Sequence, residues 1–363
     1  MPYDAPSPGA ADVDESAAAM TVRPSQAAPP AALSRVKQLV DPALRAVVDE
    51  LADERMRRIA GYQMGFWDAD GTLTPGHSGK AIRPTLTVLA AEAASGNPEC
   101  GVPAAVAVEL VHNFSLLHDD IMDRDVQRRH RPTGWVAFGE GQAILAGNAM
   151  LVAAVETLVR ADPRHDRTVA VLLDSVQRLI SGQSADIALE QRNDADLAEV
   201  LDMETGKTAA LISCSMATGA ISGGASDGAV EHVRRAGELI GLAFQLVDDV
   251  LGVVGDPAVT GKSDSSDVRA GKRSVPIVAA LNAGLPESAE LRELFAAGPP
   301  EAHETVRRAV RLIEAAGGVA WAENRAEQLL GEALAELAAA QLPNRAAVEE
   351  MAELARYLVR RDR

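Results

Sequence analysis

Apolar residues recur at three- and four-residue steps along most of the chain from Leu33 onward. The first such segment contains Val36, Leu39, Val40, Leu44, Val47, Val48 and Leu51, with the Asp41-Pro42 pair placed near a helix start. This spacing puts the apolar side chains on one face of an α-helix. Further apolar segments cover 86–95, 103–118, 136–160, 167–191 and 199–218, and the remaining segments to about 359 are rich in Ala, Leu and Glu. Turn clusters at strand spacing are missing, so the pattern predicts an all-α fold.

The first 32 residues differ from the rest of the chain. They are rich in Pro, Ala and Ser, and they carry four acidic residues against one basic residue. A segment without apolar periodicity has no face to bury and is expected to be disordered. The sequence therefore predicts a disordered tail over 1–32, either simply mobile or used for docking, followed by one helical domain over 33–363.

Composition narrows the classes of partner. Apolar residues make up 47% of the 363 residues and aromatic residues only 3%, which is typical of a large helical core. The net charge of −17 argues against nucleic acid or an anionic membrane surface as a partner, because both require a broad basic face. An anionic substrate would therefore need local cations or a metal.

Three sequence features bear on location. Cys100 and Cys214 form no metal-binding spacing, and we expect both to be small core residues in a reducing cytoplasm. The N-terminus has no basic segment followed by an apolar one, as a secretory signal would have. No uninterrupted apolar run reaches about 18 residues, so we expect a protein that does not span a membrane.

Candidate chemistry is concentrated in the stretch LVHNFSLLHDDIMDRDVQRRHRPT, residues 110–133. On a helix, Asp119 and Asp123 lie one turn apart on the same face. Like charges at that spacing repel, whereas a divalent cation would turn the repulsion into binding. Magnesium takes one or two carboxylates together with phosphate oxygens, so it fits this pattern, although a solvated acidic face remains the alternative.

A second acidic pair weakens that alternative. Asp248 and Asp249 follow another apolar segment, and Gly-rich turns carrying Lys262 and Lys272 come next. Two helices that each end in paired carboxylates, each followed by cations, indicate a site for metal and diphosphate. The second cluster has Gly252 where a third acidic residue would lie one turn after Asp248.

The order of these motifs resembles that of the trans-isoprenyl diphosphate synthases, the polyprenyl synthetase family. The matching residues are Gly79, Lys80, Arg83 and Pro84 in GKAIRP, HDDIMD with the arginine pair after it, GQSAD at 182–186, Gly206, Lys207 and Thr208 in GKT, FQLVDD, and GK followed by SDVRAGK. The resemblance runs from about residue 60 to the end. It implies a bundle of about ten or more helices around a deep central cavity, a homodimer, and condensation of isopentenyl diphosphate with an allylic diphosphate.

The resemblance also implies residue roles. Two or three Mg²⁺ ions would be held by Asp119, Asp120, Asp123, Asp248 and Asp249. Isopentenyl diphosphate would contact Lys80, Arg83, His112 and Arg129, and the allylic diphosphate would contact Arg128, Lys207 and Thr208. Further contacts to substrate would come from Gln245, Lys262 and Lys272. Catalysis would rest on Asp119, Asp123, Arg128, Lys207 and Asp248.

Product length follows from the direction of chain growth. A chain anchored at Asp119 would extend along its helix toward Phe114 and Ser115, one turn upstream. Because Ser115 is small, the sequence predicts a twenty-carbon product, geranylgeranyl diphosphate, with farnesyl diphosphate as the alternative.

GQSAD places Gln183 and Asp186 one turn apart, either in a direct role or as a polar patch on a helix contact.

Two other classes of protein stay open. A terpene cyclase would need a second metal motif, for which the nearest candidate, Asn193-Asp194, has leucines at the positions that should ligate. A non-catalytic partner subunit is suggested by Gly252 and by Ala81, which stands where many family members have a further basic residue.

Overall fold

The computed structural model describes residues 28–74, 79–190, 192, 194–255, 265–296 and 298–360. Its first helices and one short hairpin are α1 Ala31–Asp49, α2 Glu54–Gln63, α3 Ile82–Ser95, a 3₁₀ turn Pro98–Gly101, α4 Val102–Met122, β1 Gln127–Arg128, β2 Arg131–Pro132, α5 Gly134–Phe138, α6 Glu140–Ala161 and α7 His165–Glu190. The remaining helices are α8 Leu197–Glu204, a π-helical turn Thr205–Ala209, α9 Ala210–Ser222, α10 Asp227–Val254, α11 Ser266–Ala270, α12 Val275–Asn282, α13 Pro286–Ala296, α14 His303–Ala315, α15 Gly318–Ala339 and α16 Arg345–Val359. The predicted all-α fold is confirmed. Most of the predicted tail, residues 1–27, and Lys262 lie outside the described residues.

Helix α9 lies at the centre of the bundle, and all of its residues are buried. Helices α3, α7 and α10 pack against it. Close packing depends on glycine: a Cβ at Gly219 would lie 2.1 Å from the Thr87 carbonyl oxygen, and one at Gly237 would lie 2.8 Å from the Ser213 Cα. The low aromatic content is consistent with these short distances between helix backbones, because small side chains let helices approach closely.

Helix α1 corrects one prediction. Asp41-Pro42 was expected near a helix start, but Pro42 lies inside a continuous helix from Ala31 to Asp49. Proline removes one backbone donor and disfavours a helix interior. Burial of Val36, Val40, Leu44 and Val48 along one face holds the helix together across this position.

Two helices of the described chain are long and apolar enough to cross a membrane by length and composition alone. The apolar window within residues 98–122, which includes α4, is 67% buried inside the protein, whereas that of α6 is 39% buried. Helix α4 is therefore a core helix, and α6 has an apolar outer face.

Candidate active site

The first acidic cluster lies at the end of α4, and its three carboxylates have different surroundings. Asp120 is fully buried and accepts a hydrogen bond from Arg128 Nε at 2.7 Å. Asp119 is partly buried, and burial together with the charges of Asp123 and Asp120 raises its pKa to about 6, against the effect of Lys207 and Arg128. Asp123 is exposed. Asp119 and Asp123 thus face the site, while Asp120 also holds the arginine that follows the helix.

Arg128 and Arg129 belong to the β1–β2 hairpin. Arg129 and His130 form its two-residue turn with φ of 52° and 61°, a backbone region that favours glycine. The Arg129 guanidinium lies against the backbone of Gly79, where a Cβ would be 2.7 Å from Nη2. The hairpin therefore directs the two arginines to different neighbours, Asp120 for one and the GKAIRP segment for the other.

The residues predicted to hold isopentenyl diphosphate lie beside that segment. Arg83 Nη1 is 3.3 Å from His112 Nε2, and Arg83 Nε is buried with no hydrogen-bond partner among the described residues. Burial lowers the pKa of His112 well below its usual value, and the positive charges of Arg83, Arg129 and Arg128 lower it further. The imidazole is therefore neutral near pH 7 and can accept or donate one hydrogen bond. Lys80 is exposed.

Glu109 was missed by sequence reasoning. Burial raises the pKa of its carboxyl, while Arg83, a hydrogen bond from Asn113 and Arg129 oppose that rise. Asn113 Nδ2 donates to Glu109 Oε1 at 3.1 Å. The signal available in the sequence was its spacing, since Glu109, His112 and Asn113 share one face of α4 at three- and four-residue steps.

Lys207 forms an ion pair with Asp186, and both side chains are 22% exposed. The π-helical turn that carries Lys207 packs tightly on α7, because a Cβ at Gly182 would lie 2.3 Å from the Lys207 nitrogen. Burial acts to lower the pKa of Lys207, but Asp186, Asp119 and Asp123 raise it above its usual value. Lys207 is therefore paired with Asp186 of α7 and lies close enough to Asp119 and Asp123 of the first acidic cluster to interact with their charges.

Gln183 lies one residue after that close contact. It is only 6% exposed, and neither its amide nitrogen nor its amide oxygen has a hydrogen-bond partner within the described part of the chain. Buried polar groups are normally satisfied, so this amide is a candidate contact for a ligand or an ordered water.

The second acidic cluster is partly used in packing. Thr208 Oγ1 donates to Gln245 Oε1 at 2.9 Å, Gln245 Nε2 donates to Asp249 Oδ1 at 2.7 Å, and the Val275 nitrogen donates to Asp249 Oδ2 at 2.9 Å. Burial, together with the charges of Asp267 and Asp248, raises the pKa of Asp249 to about 7, against the effect of the two hydrogen bonds that it accepts. Asp249 thus joins α10 to the start of α12, and Asp248 is the more accessible of the pair. Thr208 was predicted to face the allylic diphosphate, and here it orients Gln245.

A carboxylate from another helix lies over Gly252. A Cβ at Gly252 would be 2.3 Å from Asp267 Oδ2. Asp267 and Asp123 also raise the pKa of Lys272, against the effect of burial. Lys272 and Asp123 line a cleft of about 550 Å³ with Glu190, Gly271 and Arg273. Lys272 and Asp123 of the first cluster therefore face a common cleft.

The donor set fits magnesium. No three His, Cys, Asp or Glu side chains in the described ranges form a ready metal-binding group. Magnesium commonly uses one or two carboxylates and takes its other ligands from water and substrate phosphates. Asp119 is crowded by like charge, and Asp120 Oδ2 is buried without a hydrogen-bond partner in the same residues. Asp123 is exposed, and Asp119 and Asp248 are partly exposed, so these three carboxylates are the candidates to hold such an ion.

Paired carboxylates and separate groups of cations in an all-α bundle define a class of diphosphate-handling prenyltransferases. The polyprenyl synthetase family model matches residues 72–313. The chain belongs to this family.

Relatives and solved structures agree with that assignment. The chain is 42% identical to the (2E,6E)-farnesyl diphosphate synthase of Mycobacterium bovis over 91% of its length and 92% of the relative's. It is 38% identical to the geranylgeranyl diphosphate synthase of Mycobacterium tuberculosis, covering 92% and 94% of the two chains. The structure matches geranylgeranyl pyrophosphate synthase from Corynebacterium glutamicum, complexed with isoprenyl diphosphate and magnesium, with a TM-score of 0.78, 28% identity and coverage of 92% and 99%. The predictions of family and of a prenyltransferase are confirmed.

Proposed function

We propose that this protein condenses isopentenyl diphosphate head-to-tail with allylic diphosphates in the presence of Mg²⁺, to give geranylgeranyl diphosphate. The observation that carries the proposal is the division of cations into two groups. Arg83 and Arg129 lie close to His112 near the start of α3, whereas Lys207 and Lys272 lie close to the carboxylates. Two separate anion sites suit two diphosphate substrates.

The chain's own residues perform binding and charge stabilisation. Magnesium, when bound by Asp119, Asp123 and Asp248, would supply positive charge to the diphosphate oxygens. When the allylic carbon–oxygen bond breaks, the leaving diphosphate keeps the electron pair and the allylic carbon becomes a cation. Lys207 and Lys272 stabilise the negative charge on that diphosphate. Arg83, Arg129 and neutral His112 orient isopentenyl diphosphate so that its double bond attacks the allylic cation. The proton lost afterwards goes to the released diphosphate, so the protein needs no conventional base.

Turnover by the pure protein tests this function directly. We expect radiolabelled isopentenyl diphosphate to be incorporated with dimethylallyl, geranyl and farnesyl diphosphates, and Asp119→Ala to abolish incorporation without loss of fold. Asp202→Ala, at an exposed position on α8, is the matched control and should be active. Absence of turnover by the wild-type chain alone would favour the partner-subunit hypothesis.

Product length is tested at the side chains upstream of the first cluster. Phe114 is 6% exposed and packs edge-on against His118, with ring centroids 4.9 Å apart. Ser115 is 7% exposed and its hydroxyl donates to the His112 carbonyl at 2.9 Å. We expect Ser115→Phe to shorten the product from twenty to fifteen carbons, because an added ring cannot be accommodated cheaply in a packed wall. Chromatography of dephosphorylated products decides between geranylgeranyl and farnesyl diphosphate. An unchanged product from an active variant would refute the proposal that the side chain at position 115 limits product length.

A homodimer is proposed on the outer apolar face of α6 and α7. Exposed apolar side chains recur every seven residues on these helices, namely Leu145, Val152 and Val159 on α6 and Leu173, Ile180 and Ile187 on α7. A seven-residue apolar repeat is the pattern of helices that pair with other helices. We propose that a second copy of this chain covers this face, because its own α6 and α7 carry the same seven-residue apolar repeat and can pair with it.

Light scattering of the purified protein tests the dimer. Val152→Glu and Ile180→Glu should shift the mass toward the monomer, whereas Leu285→Glu, at an exposed leucine elsewhere, should leave the dimer intact. A monomeric wild-type protein would refute the proposal, and binding of lipid vesicles by that monomer would assign the face to a membrane instead.

A further inference from the structure

Aromatic side chains are concentrated near the β1–β2 hairpin. The chain has only three Trp, three Tyr and five Phe, yet five of these residues lie in α2 and the loop after it or directly after the hairpin, namely Tyr62, Phe66, Trp67, Trp135 and Phe138. The Tyr62 and Phe138 rings pack edge-on with centroids 5.2 Å apart. Large rigid rings lose little conformational freedom when they pack, so this corner is suited to fixing a position.

Arg131 on β2 joins the hairpin to this corner. Its Cζ lies 4.1 Å from the centroid of the Tyr62 ring, and its Nη2 donates to the Trp67 carbonyl and to Asp68 Oδ1, each at 3.0 Å. The next residue is held as well, because the Tyr62 hydroxyl donates to the Pro132 carbonyl at 2.6 Å. The Arg131 side chain is only 13% exposed. We call Arg131 and its partners Tyr62, Trp67 and Asp68 the hairpin clamp.

The turn of the hairpin needs such a constraint. Arg129 and His130 form it with φ of 52° and 61°, where Asn or Gly would be usual. Side chains in this region of backbone conformation carry strain, which persists only where the surrounding structure holds it. Arg128 and Arg131 pair across the strands and close the turn. The clamp therefore acts on the residue that directly follows the strained pair.

The two arginines before the clamp are held differently. Arg128 donates to Asp120, so it has its own anchor on α4. The Arg129 side chain makes no hydrogen bond within the described residues, and its place beside Gly79 follows from the closed turn. Opening of the turn would thus move Arg129 more than Arg128.

We propose that Arg131 is a positioning residue for isopentenyl diphosphate, which keeps the turn closed and the Arg129 guanidinium beside the GKAIRP segment. The inference rests on the proposed function, since it takes Arg129 as a contact of that substrate. Arg131 itself faces Tyr62 and Asp68 and acts only through the hairpin. Loss of the clamp should therefore affect one diphosphate site and spare the other.

Steady-state kinetics of the full chain measure this selectivity. We expect Arg131→Met, which keeps an unbranched stem over Tyr62, to raise KM for isopentenyl diphosphate about tenfold and to change KM for geranyl diphosphate less than about twofold. Tyr62→Phe keeps the ring and removes one hydroxyl, so it should raise the same KM about threefold. Arg58→Met is the matched control, because Arg58 Nε donates to the Ala69 carbonyl at 2.7 Å in the same loop. That variant should keep both wild-type KM values.

Hydrogen exchange tests the turn without any substrate. Backbone amides of the peptide that covers 127–132 should exchange faster in Arg131→Met than in wild type, and at the wild-type rate in Arg58→Met. Amides of α4 should be unchanged in both variants. Faster exchange limited to the hairpin supports a local effect, whereas faster exchange throughout the chain would make Arg131 only a contributor to stability.

A second substitution separates positioning from general stability. Glycine adopts positive φ without strain, so His130→Gly added to Arg131→Met should let the turn close without the clamp. We expect KM for isopentenyl diphosphate in the double variant to return to within about threefold of wild type. Failure of the folded double variant to recover would overturn the assignment of Arg131 to the turn.

The proposal and the proposed function can fail separately. If wild type turns over, a folded Arg131→Met protein with wild-type KM for isopentenyl diphosphate, or with equal rises in both KM values, refutes the positioning role and leaves the function standing. If wild type does not turn over, the proposed function is refuted, and calorimetric binding of isopentenyl diphosphate replaces KM. Unchanged binding by Arg131→Met would then refute the positioning role as well, and weakened binding would support it.

Discussion

Arg128 donates a hydrogen bond from Nε to Asp120 Oδ1 at 2.7 Å, and Asp120 has no solvent-exposed side-chain surface. Asp120 of the first acidic cluster and Arg128 of the hairpin are thus directly connected. An arginine assigned to substrate from its position in the sequence also has a partner in the protein. Substitution of Arg128 is therefore expected to change stability as well as catalysis.

We predict that Arg128→Ala lowers the free energy of unfolding by about 2 kcal/mol, because it leaves a buried carboxylate without its charged donor. It should also weaken use of the allylic diphosphate. Arg129→Ala is the comparison: it should mainly raise KM for isopentenyl diphosphate and cost less stability. Denaturant unfolding and steady-state kinetics of both variants check this, and equal effects on stability and on both Michaelis constants would contradict it.

Gly79 offers a second test of how the arginines are held. We predict that Gly79→Ala raises KM for isopentenyl diphosphate severalfold while the fold is kept, because the new methyl group must displace the Arg129 guanidinium from its place 2.7 Å away. Gly331→Ala, in α15 with nothing within 4 Å of its Cβ position, is the control and should be neutral or stabilising by up to about 1 kcal/mol. A Gly79→Ala enzyme with wild-type KM would contradict the assignment of Arg129 to isopentenyl diphosphate.

A substitution of Gln183 can show whether its buried amide contacts a ligand or only packs within the protein. We predict that Gln183→Leu leaves stability unchanged or raises it by about 1 kcal/mol, because the apolar side chain removes two unsatisfied buried polar atoms. Turnover should nevertheless fall at least tenfold if that amide contacts substrate or its water. Gln177→Leu, on an exposed position of the same helix, should retain full activity. Loss of stability with normal turnover in Gln183→Leu would instead assign the amide to the fold.

The raised pKa values of Asp119 and Asp249 predict that the stability of the protein depends on pH and on bound metal. In the metal-free protein the pKa of Asp119 is raised to about 6 and that of Asp249 to about 7, so the folded state binds more protons than the unfolded state between pH 4 and pH 7. The contribution of these groups to stability is therefore present at low pH and is lost as pH rises through that range. Magnesium requires the ionised carboxylates, so its binding should strengthen over the same range.

Thermal unfolding with and without Mg²⁺ measures both effects. We expect the rise in melting temperature on adding Mg²⁺ to be larger at pH 8 than at pH 6. Asp119→Asn should reduce that rise at both values. Equal stabilisation by Mg²⁺ at pH 6 and pH 8 would contradict the link between these carboxylates and the metal.

Short-range spacing accounts for what could be predicted from the sequence. Apolar steps of three and four residues depend only on helix geometry, so they indicate the all-α class without knowledge of neighbours. The placement of Asp119 and Asp123 on one face follows from the same geometry. The Pro42 prediction failed because packing of the apolar face outweighed a local preference.

Residues far apart in sequence meet only through packing, and these contacts decide the detail of the site. Asp249 accepts from the Val275 nitrogen, Lys207 pairs with Asp186, and Asp267 covers Gly252. Each contact requires two helices to approach closely, and spacing along one helix carries no information about its neighbour. From the sequence, Gly252 indicates only that a carboxylate is missing at that position, and the contact with Asp267 is visible only in the structure.

The sequence by itself determined the helical class and the family, and it indicated the residue types that we propose to hold a diphosphate and a divalent cation. Only the tertiary structure showed that Asp120 and Asp249 are hydrogen-bonded to protein groups. The physical reason is burial: Asp120 and Asp249 ionise and bind according to neighbours that α-helix packing brings to them.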